Sequence, residues 1–232
     1  MTRMLHRKNP REIYISILLC LIFIAMPSVA KAYPLVRNYN RWIYNAGTQN
    51  WKISQDSFGR MLFANNTGLL IYDSRNWSLL QLSNYTTVRS IYFDEQTMRI
   101  YAGGSEEFGY FASNENGVME YVSLVPTIPE KDRKFNEIWN IFHADKYIWF
   151  QGDFCIFRYN GENTVAIPYK YKITTSAFVK EKLFIASQEG GVCVLNGNDY
   201  TPISGNELLI GKRICSILPY SQSNILMVTD FD

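Results

Sequence analysis

The chain has 232 residues, of which 47% are hydrophobic, 15% aromatic and 19% charged, with a formal net charge of +2. That is enough apolar residue to bury one or two cores, and too little basic excess for a nucleic-acid partner, which needs a clustered basic face. The excess is also local. Residues 1–32 hold Arg3, Arg7, Lys8, Arg11 and Lys31 against Glu12 alone, so the remainder carries 18 basic against 20 acidic residues.

Residues 1–32 read as a secretory signal peptide. A basic start precedes an apolar run over residues 13–26, Pro27 breaks the run, and Ala30 and Ala32 place small residues where cleavage would fall. The run is shorter than the roughly 17–25 residues of a spanning helix, so membrane contact is expected only through this leader or through its retention as an uncleaved anchor. Export to the periplasm follows, with an inner-membrane anchor as the alternative. Residues 33–49 form a lead rich in Asn and Tyr.

A strand motif then returns five times: Leu62-Phe63-Ala64-Asn65, Ile100-Tyr101-Ala102-Gly103, Ile148-Trp149-Phe150-Gln151, Leu183-Phe184-Ile185-Ala186 and Ile225-Leu226-Met227-Val228. The spacings are 38, 48, 35 and 42 residues, and a period near 40 in a strand-rich chain signals propeller blades. The first copy predicts four short strands, beginning at Trp51, Met61, Leu69 and Trp77 and separated by Asp-, Asn- and Gly-bearing turns. The second copy opens at Val88, the third at Ile138 and the fourth near Ser176. Asn160-Gly161 and Asn196-Gly197 supply hairpin turns. The fifth opens at Ile214, and the sequence ends at Asp232 before its outer strands. The fold class expected is all-β: a β-propeller of four-stranded antiparallel blades over residues 33–232, incomplete at about four and a half blades, behind a signal-peptide helix. Residues 126–136 stretch the second spacing and predict a surface loop or a single helical turn. An unclosed ring exposes a strand edge at residues 225–228, which predicts self-association through that edge.

Residues 54–59 are similar to the Asp-box of sialidases, but the glycine falls one residue late and no other copy repeats it, so a hairpin turn is expected. The Gly103-Gly104 and Gly190-Gly191 doublets resemble the kelch pattern, which the other copies lack. The Gly-His and Trp-Asp signature of WD40 blades is absent.

The first two copies resemble a different family. Asn45-Ala46-Gly47-Thr48-Gln49-Asn50-Trp51, Phe63-Ala64-Asn65-Asn66-Thr67-Gly68-Leu69-Leu70-Ile71-Tyr72-Asp73 and Asn76-Trp77 look like the opening of the periplasmic regulator propellers. Val88-Arg89-Ser90-Ile91 and the run from Ile100 through Gly103-Gly104-Ser105-Glu106-Glu107 to Phe111 continue the likeness. These are sensor regions of bacterial LuxR-type one-component and hybrid two-component regulators that also carry a triple-tyrosine (Y_Y_Y) domain. The resemblance implies a noncatalytic ligand-sensing domain, a glycan or other small periplasmic ligand, and an output domain that lies outside these residues. It makes this chain the expected front part of a longer regulator.

The chemistry-bearing residues agree. Beyond the leader there is one histidine, His143, too few for a His-based triad or a multi-His metal site, and no phosphate loop or dinucleotide motif. No cofactor is expected. Cys155, Cys193 and Cys215 lie among apolar strand residues and read as small buried hydrophobes, with one disulfide between two of them as the alternative. Glu106 and Glu107 on a Gly-flanked loop, and Trp139 at a first strand, are the candidate ligand-face residues, weighed against a solvated loop and core packing. A propeller enzyme acting on glycans, or a protein-binding propeller, stands as the alternative function.

Overall fold

The computed structural model describes residues 36–230 together with residues 9, 11, 14, 15, 17 and 18. The chain divides into two units, Met1–Asn38 and Tyr39–Asp232. In the first unit Arg11, Tyr14, Ile15, Ile17 and Leu18 are helical and exposed. Ala30 and Ala32 lie outside the described residues. Among the described residues no helix is long and apolar enough to cross a membrane.

The second unit begins with a helical turn, Arg41–Tyr44, whose N-cap Asn40 accepts a hydrogen bond from the Trp42 amide. Four sheets of four antiparallel strands follow, each in simple sequential order. The first holds β1 (Asn50–Gln55), β2 (Met61–Asn65), β3 (Gly68–Tyr72) and β4 (Trp77–Leu80). The second holds β5 (Val88–Asp94), β6 (Arg99–Gly104), β7 (Phe108–Ser113) and β8 (Met119–Ser123). The third is β9 (Asn140–Ala144), β10 (Tyr147–Gln151), β11 (Cys155–Tyr159) and β12 (Thr164–Pro168). The fourth is β13 (Ile173–Val179), β14 (Lys182–Ser187), β15 (Gly191–Asn196) and β16 (Asp199–Pro202), and β17 (Ile214–Pro219) pairs with β18 (Ile225–Thr229) in a fifth sheet.

The sheets are the blades of a propeller. Successive first strands pack on one another, β1 on β5, β5 on β9, β9 on β13 and β13 on β17, so these strands surround the axis. Each blade buries its side chains against the next, giving one apolar cluster per interface. Leu62, Leu69 and Ile71 meet Val88, Ile91 and Ile100 between blades one and two. Phe108, Phe150 and Phe157 meet between blades two and three, with ring centroids 4.6 and 4.9 Å apart. Ile156 and Ile167 meet Leu183 and Ile185, and Val192 meets Ile214 and Ile217, at the next two interfaces. Alternation in a strand buried on both faces explains why the repeated motif is a near-continuous apolar run.

Two details differ from the sequence reading. In the first blade the repeat begins one residue earlier, at Met61. Ala64 stands opposite Lys52 as Gly103 stands opposite Ser90, Gln151 opposite Asn140, Ala186 opposite Thr175 and Val228 opposite Ser216. Residues 126–136 are more than a surface loop: two short 3-10 turns, Val125–Thr127 and Glu130–Asp132, drop Ile128 and Phe135 into the cluster between blades two and three. The turn over residues 54–59 is the expected hairpin. Buried Asp56 accepts from the Phe58 and Arg60 amides at 3.0 and 2.9 Å and from Arg60 Nε at 2.6 Å.

Candidate functional site at the axis

A recurring irregularity aims side chains at one end of the axis. The pairing of first and second strand shifts register between Asn50 and Lys52, between Val88 and Ser90, between Ile173 and Thr175 and between Ile214 and Ser216. Such an extra residue re-aims its side chain and recurs where sheets build sites. The residues so placed are Trp51, Arg89, Thr174 and Cys215. In the third blade Trp139 takes the same position, its amide donating to the Gln151 carbonyl at 2.8 Å while Asn140 stands opposite Gln151.

Three of these five residues converge. The Trp51 and Trp139 rings meet edge to face at 6.2 Å, and the Arg89 guanidinium lies over both, 3.9 Å from the Trp51 centroid and 5.3 Å from that of Trp139. Each ring is anchored by its indole N–H: Trp51 donates to Asn66 Oδ1 at 2.7 Å and Trp139 to Asp153 Oδ1 at 2.9 Å. Arg89 is held by Glu137, Nε to Oε2 at 3.1 Å. The two residues nonetheless remain 39% and 38% exposed. Oriented, half-exposed aromatic faces beside hydrogen-bonding groups suit a ligand with apolar faces and hydroxyl edges.

Trp139 also forms one wall of a cleft of about 440 Å³, whose other walls are Lys172, Ile173, Thr174, Gln188 and Arg213. Asp153 sits under this region, 3.6 Å from Lys172 Nζ, and Arg213 faces Asp230 at 3.5 Å. Thr174 Oγ1 donates toward the carbonyls of Ala186 and Ile214, at 3.2 Å each, joining blades four and five at the cleft floor. Lys52, next to Trp51, reaches across the axis from blade one to blade three, where its Nζ donates to Asn140 Oδ1 at 3.0 Å. Its burial pulls the ammonium below the ordinary lysine range.

The sequence-derived candidates separate. Trp139 is at the centre of the site. Glu106 is exposed in a left-handed conformation, φ 51°, its amide bonded to the Asn136 carbonyl at 2.5 Å. Glu107 does not lie on a solvated loop. It is 5% exposed and accepts from Ser123 Oγ at 2.7 Å, Tyr121 OH at 3.1 Å and Ser83 Oγ. Three hydroxyls satisfy a carboxylate that strand alternation turns inward at the start of β7, and burial together with this charge pushes the Tyr121 phenol up. The adjacent Gly103-Gly104 pair is explained by close approach: a Cβ on Gly103 would meet Ile138 at 2.4 Å, and one on Gly104 the Thr87 carbonyl at 2.1 Å. His143 lies on β9 at the other end of the axis, its Nδ1 3.8 Å from Asp94 Oδ1. Cys155, Cys193 and Cys215 are free thiols, Cys193 buried and Cys215 exposed.

Sequence reasoning named Trp51 only as a strand start and passed over Arg89, Lys52, Asp153, Lys172 and Arg213 as site residues. The available signal was the column of residues opening each first strand, which carries Trp, Arg, Trp, Thr and Cys where a core position would carry aliphatic residues.

No family model matches the chain, and no curated protein matches it in sequence. Solved structures do match its fold. The extracellular domain of the hybrid two-component system BT4673 from B. thetaiotaomicron is similar over 80% of this chain, at 14% identity and a TM-score of 0.58. PorZ, a bacterial surface component of the type-IX secretion system of Porphyromonas gingivalis, is similar over 83% at 14% identity and a TM-score of 0.61. The WD40 propeller domain of Doa1 is similar over 79% at 11% identity and a TM-score of 0.57. This chain spans 26% of the BT4673 domain, 33% of PorZ and 63% of the Doa1 domain. The chain is therefore an all-β propeller, with a likeness to the extracellular domain of a hybrid two-component system.

Proposed function

We propose that the chain is a noncatalytic, exported sensor propeller of a bacterial signal-transduction regulator, and that it binds a saccharide on the Trp51–Arg89–Trp139 platform. The observation that carries this reading is the platform: two indoles fixed by their N–H groups and clamped by one guanidinium, on residues that each remain more than a third exposed. Sugar rings stack on such faces through their C–H surfaces while their hydroxyls reach neighbouring polar groups. The resemblance of the first two blades to regulator propellers, and the fold likeness to the BT4673 extracellular domain, support the regulatory role. Residues 1–32 would act as the export signal, cleaved near Ala30 and Ala32.

The test is titration of the purified chain with a panel of neutral and acidic oligosaccharides, followed by Trp139→Ala. Binding by the chain and its loss in the variant is the expected result. Turnover of a panel member would replace this reading with an enzyme, and capture of no saccharide at all would remove the saccharide from it.

A further inference from the structure

The axial site leaves one cation without a counter-charge. Arg89 faces Glu137, Lys172 faces Asp153 and Arg213 faces Asp230. Lys52 is partly buried, and among the described residues no carboxylate pairs with it. Its one hydrogen-bond partner is the neutral Asn140 Oδ1. Asn140 is itself fixed, with Nδ2 donating to the Ser176 carbonyl at 3.2 Å and Oδ1 also accepting the Ile141 amide at 3.1 Å, so it cannot turn to offer more. An ammonium carries three N–H donors, and this one spends a single donor on the protein. Withdrawing such a charge from water without a paired anion is unfavourable, and among the described residues no carboxylate offsets it.

The position of this charge is informative. Lys52 follows Trp51 in β1 and Asn140 follows Trp139 at β9, so the Lys52–Asn140 bond joins the same two strands that carry the rings of the platform, one residue further along. We propose that the saccharide bound here is anionic, and that its carboxylate or sulfate pairs with Lys52 while its ring stacks on Trp51 or Trp139. This rests on the saccharide reading above and adds the charge class of the ligand. A carboxylate or sulfate oxygen would accept from the N–H donors that the protein does not bond and offset the burial of the charge, which is why an anion is favoured over a neutral hydroxyl. The other cations of the site differ from Lys52 in that each already faces a carboxylate of the chain.

The experiment is calorimetric titration of the chain with galacturonate, hyaluronan and chondroitin sulfate oligosaccharides, with methyl-esterified galacturonate, and with neutral cello-, xylo- and galacto-oligosaccharides. Lys52→Met and Lys52→Arg are titrated alongside. Met keeps the methylenes and removes the buried charge; Arg keeps the charge. An acidic probe should bind the unmodified chain, lose on the order of tenfold in affinity with Lys52→Met and retain most of it with Lys52→Arg. Galacturonate and sulfated probes separate the two anion types. Should neither variant fold, salt decides instead: binding of the acidic probe must weaken as sodium chloride is raised, as for any ion pair reached by solvent. Preference for neutral probes, or an acidic probe bound equally by Lys52→Met, overturns the anionic ligand and leaves the saccharide-sensing reading standing. No binding by any probe overturns both.

Discussion

Two tryptophan clusters in this molecule look alike in the sequence and do opposite things. Trp77, at the start of β4, is surrounded by rings: Tyr72 stacks on it at 4.4 Å, Tyr39 and Tyr44 of the lead cover it at 5.3 and 5.5 Å, and Phe63 of β2 lies at 5.7 Å. Its indole nitrogen is buried and makes no hydrogen bond. Trp51 and Trp139 are the reverse, with the nitrogens bonded and the residues partly open to solvent beside the Arg89 guanidinium. A residue held by its ring alone serves packing, and its position tolerates an orphaned N–H because the surrounding rings return more than that group costs. A residue held by its N–H with the ring left partly exposed is available for the stacking that the proposed saccharide site requires. The difference comes from blade geometry. Trp77 sits on an outer strand, where the lead segment folds over it, whereas Trp51 and Trp139 sit at the first-strand irregularity that points toward the axis.

The largest test of this contrast is Trp77→Ala. Removing the ring leaves a cavity among four aromatic neighbours and detaches the lead from blade one, with an expected loss of about 3 kcal/mol in unfolding free energy. Chemical denaturation measures it, and a loss under about 1 kcal/mol would show that the cluster is not a packing unit. Glu107→Gln comes next. The carboxylate serves three hydroxyl donors in a buried pocket, so the neutral amide weakens these bonds and leaves an NH₂ group facing donors, a cost of about 2 kcal/mol. Ligand affinity should not change, because Glu107 points away from solvent. A variant of native stability would place Glu107 outside the structural set.

Trp139→Ala should reverse the pattern. The ring already contacts solvent, so stability should fall by no more than about 1 kcal/mol, while saccharide binding should disappear. If Trp139→Ala destabilises the chain as much as Trp77→Ala does, the two clusters are not different in kind. The same pair of variants separates platform from packing without any knowledge of the ligand, since the stability readout stands alone.

Much of this was legible in the residues, and the boundary is instructive. The blades were readable because the second strands of the middle blades, β6, β10 and β14, are buried on both faces and so repeat as an apolar run, and because Asn160-Gly161 and Asn196-Gly197 mark hairpins. The one-residue offset at Met61 was not, because Met61 and Leu62 are both apolar and only the pairing of Ala64 with Lys52 fixes the register. Trp139 could be singled out as an aromatic at a first strand. Glu107 could not be placed, because adjacent glutamates on a turn say nothing about which one strand alternation turns inward. Arg89 and Lys52 were invisible as site residues, because their meaning lies in partners far away in sequence: Glu137 for one, the neutral Asn140 for the other.

The last test is chemical, and it uses the cysteines as reporters of the same division between enclosed and exposed positions. Cys215 occupies the axial column shared with Trp51, Arg89 and Trp139 and is exposed. Cys155, on β11, is partly buried, and burial pushes its thiol from the usual 9.0 up to about 12. The thiolate is the nucleophile, so at pH 8 iodoacetamide should modify Cys215 well before Cys155, as read by peptide mapping at short times. The shift also has a stability signature with a definite sign. The folded value lies above the unfolded one, so the contribution of Cys155 to stability is fully present below pH 9 and is lost as pH rises from 9 toward 12, where the unfolded thiol ionises and the folded one does not. Cys155→Ser removes this dependence, and the wild-type minus variant difference in unfolding free energy should therefore shrink across that window. A difference that is flat with pH, or Cys155 modified as fast as Cys215, would mean that β11 opens to solvent and that the enclosed half of the blade is less enclosed than its packing implies.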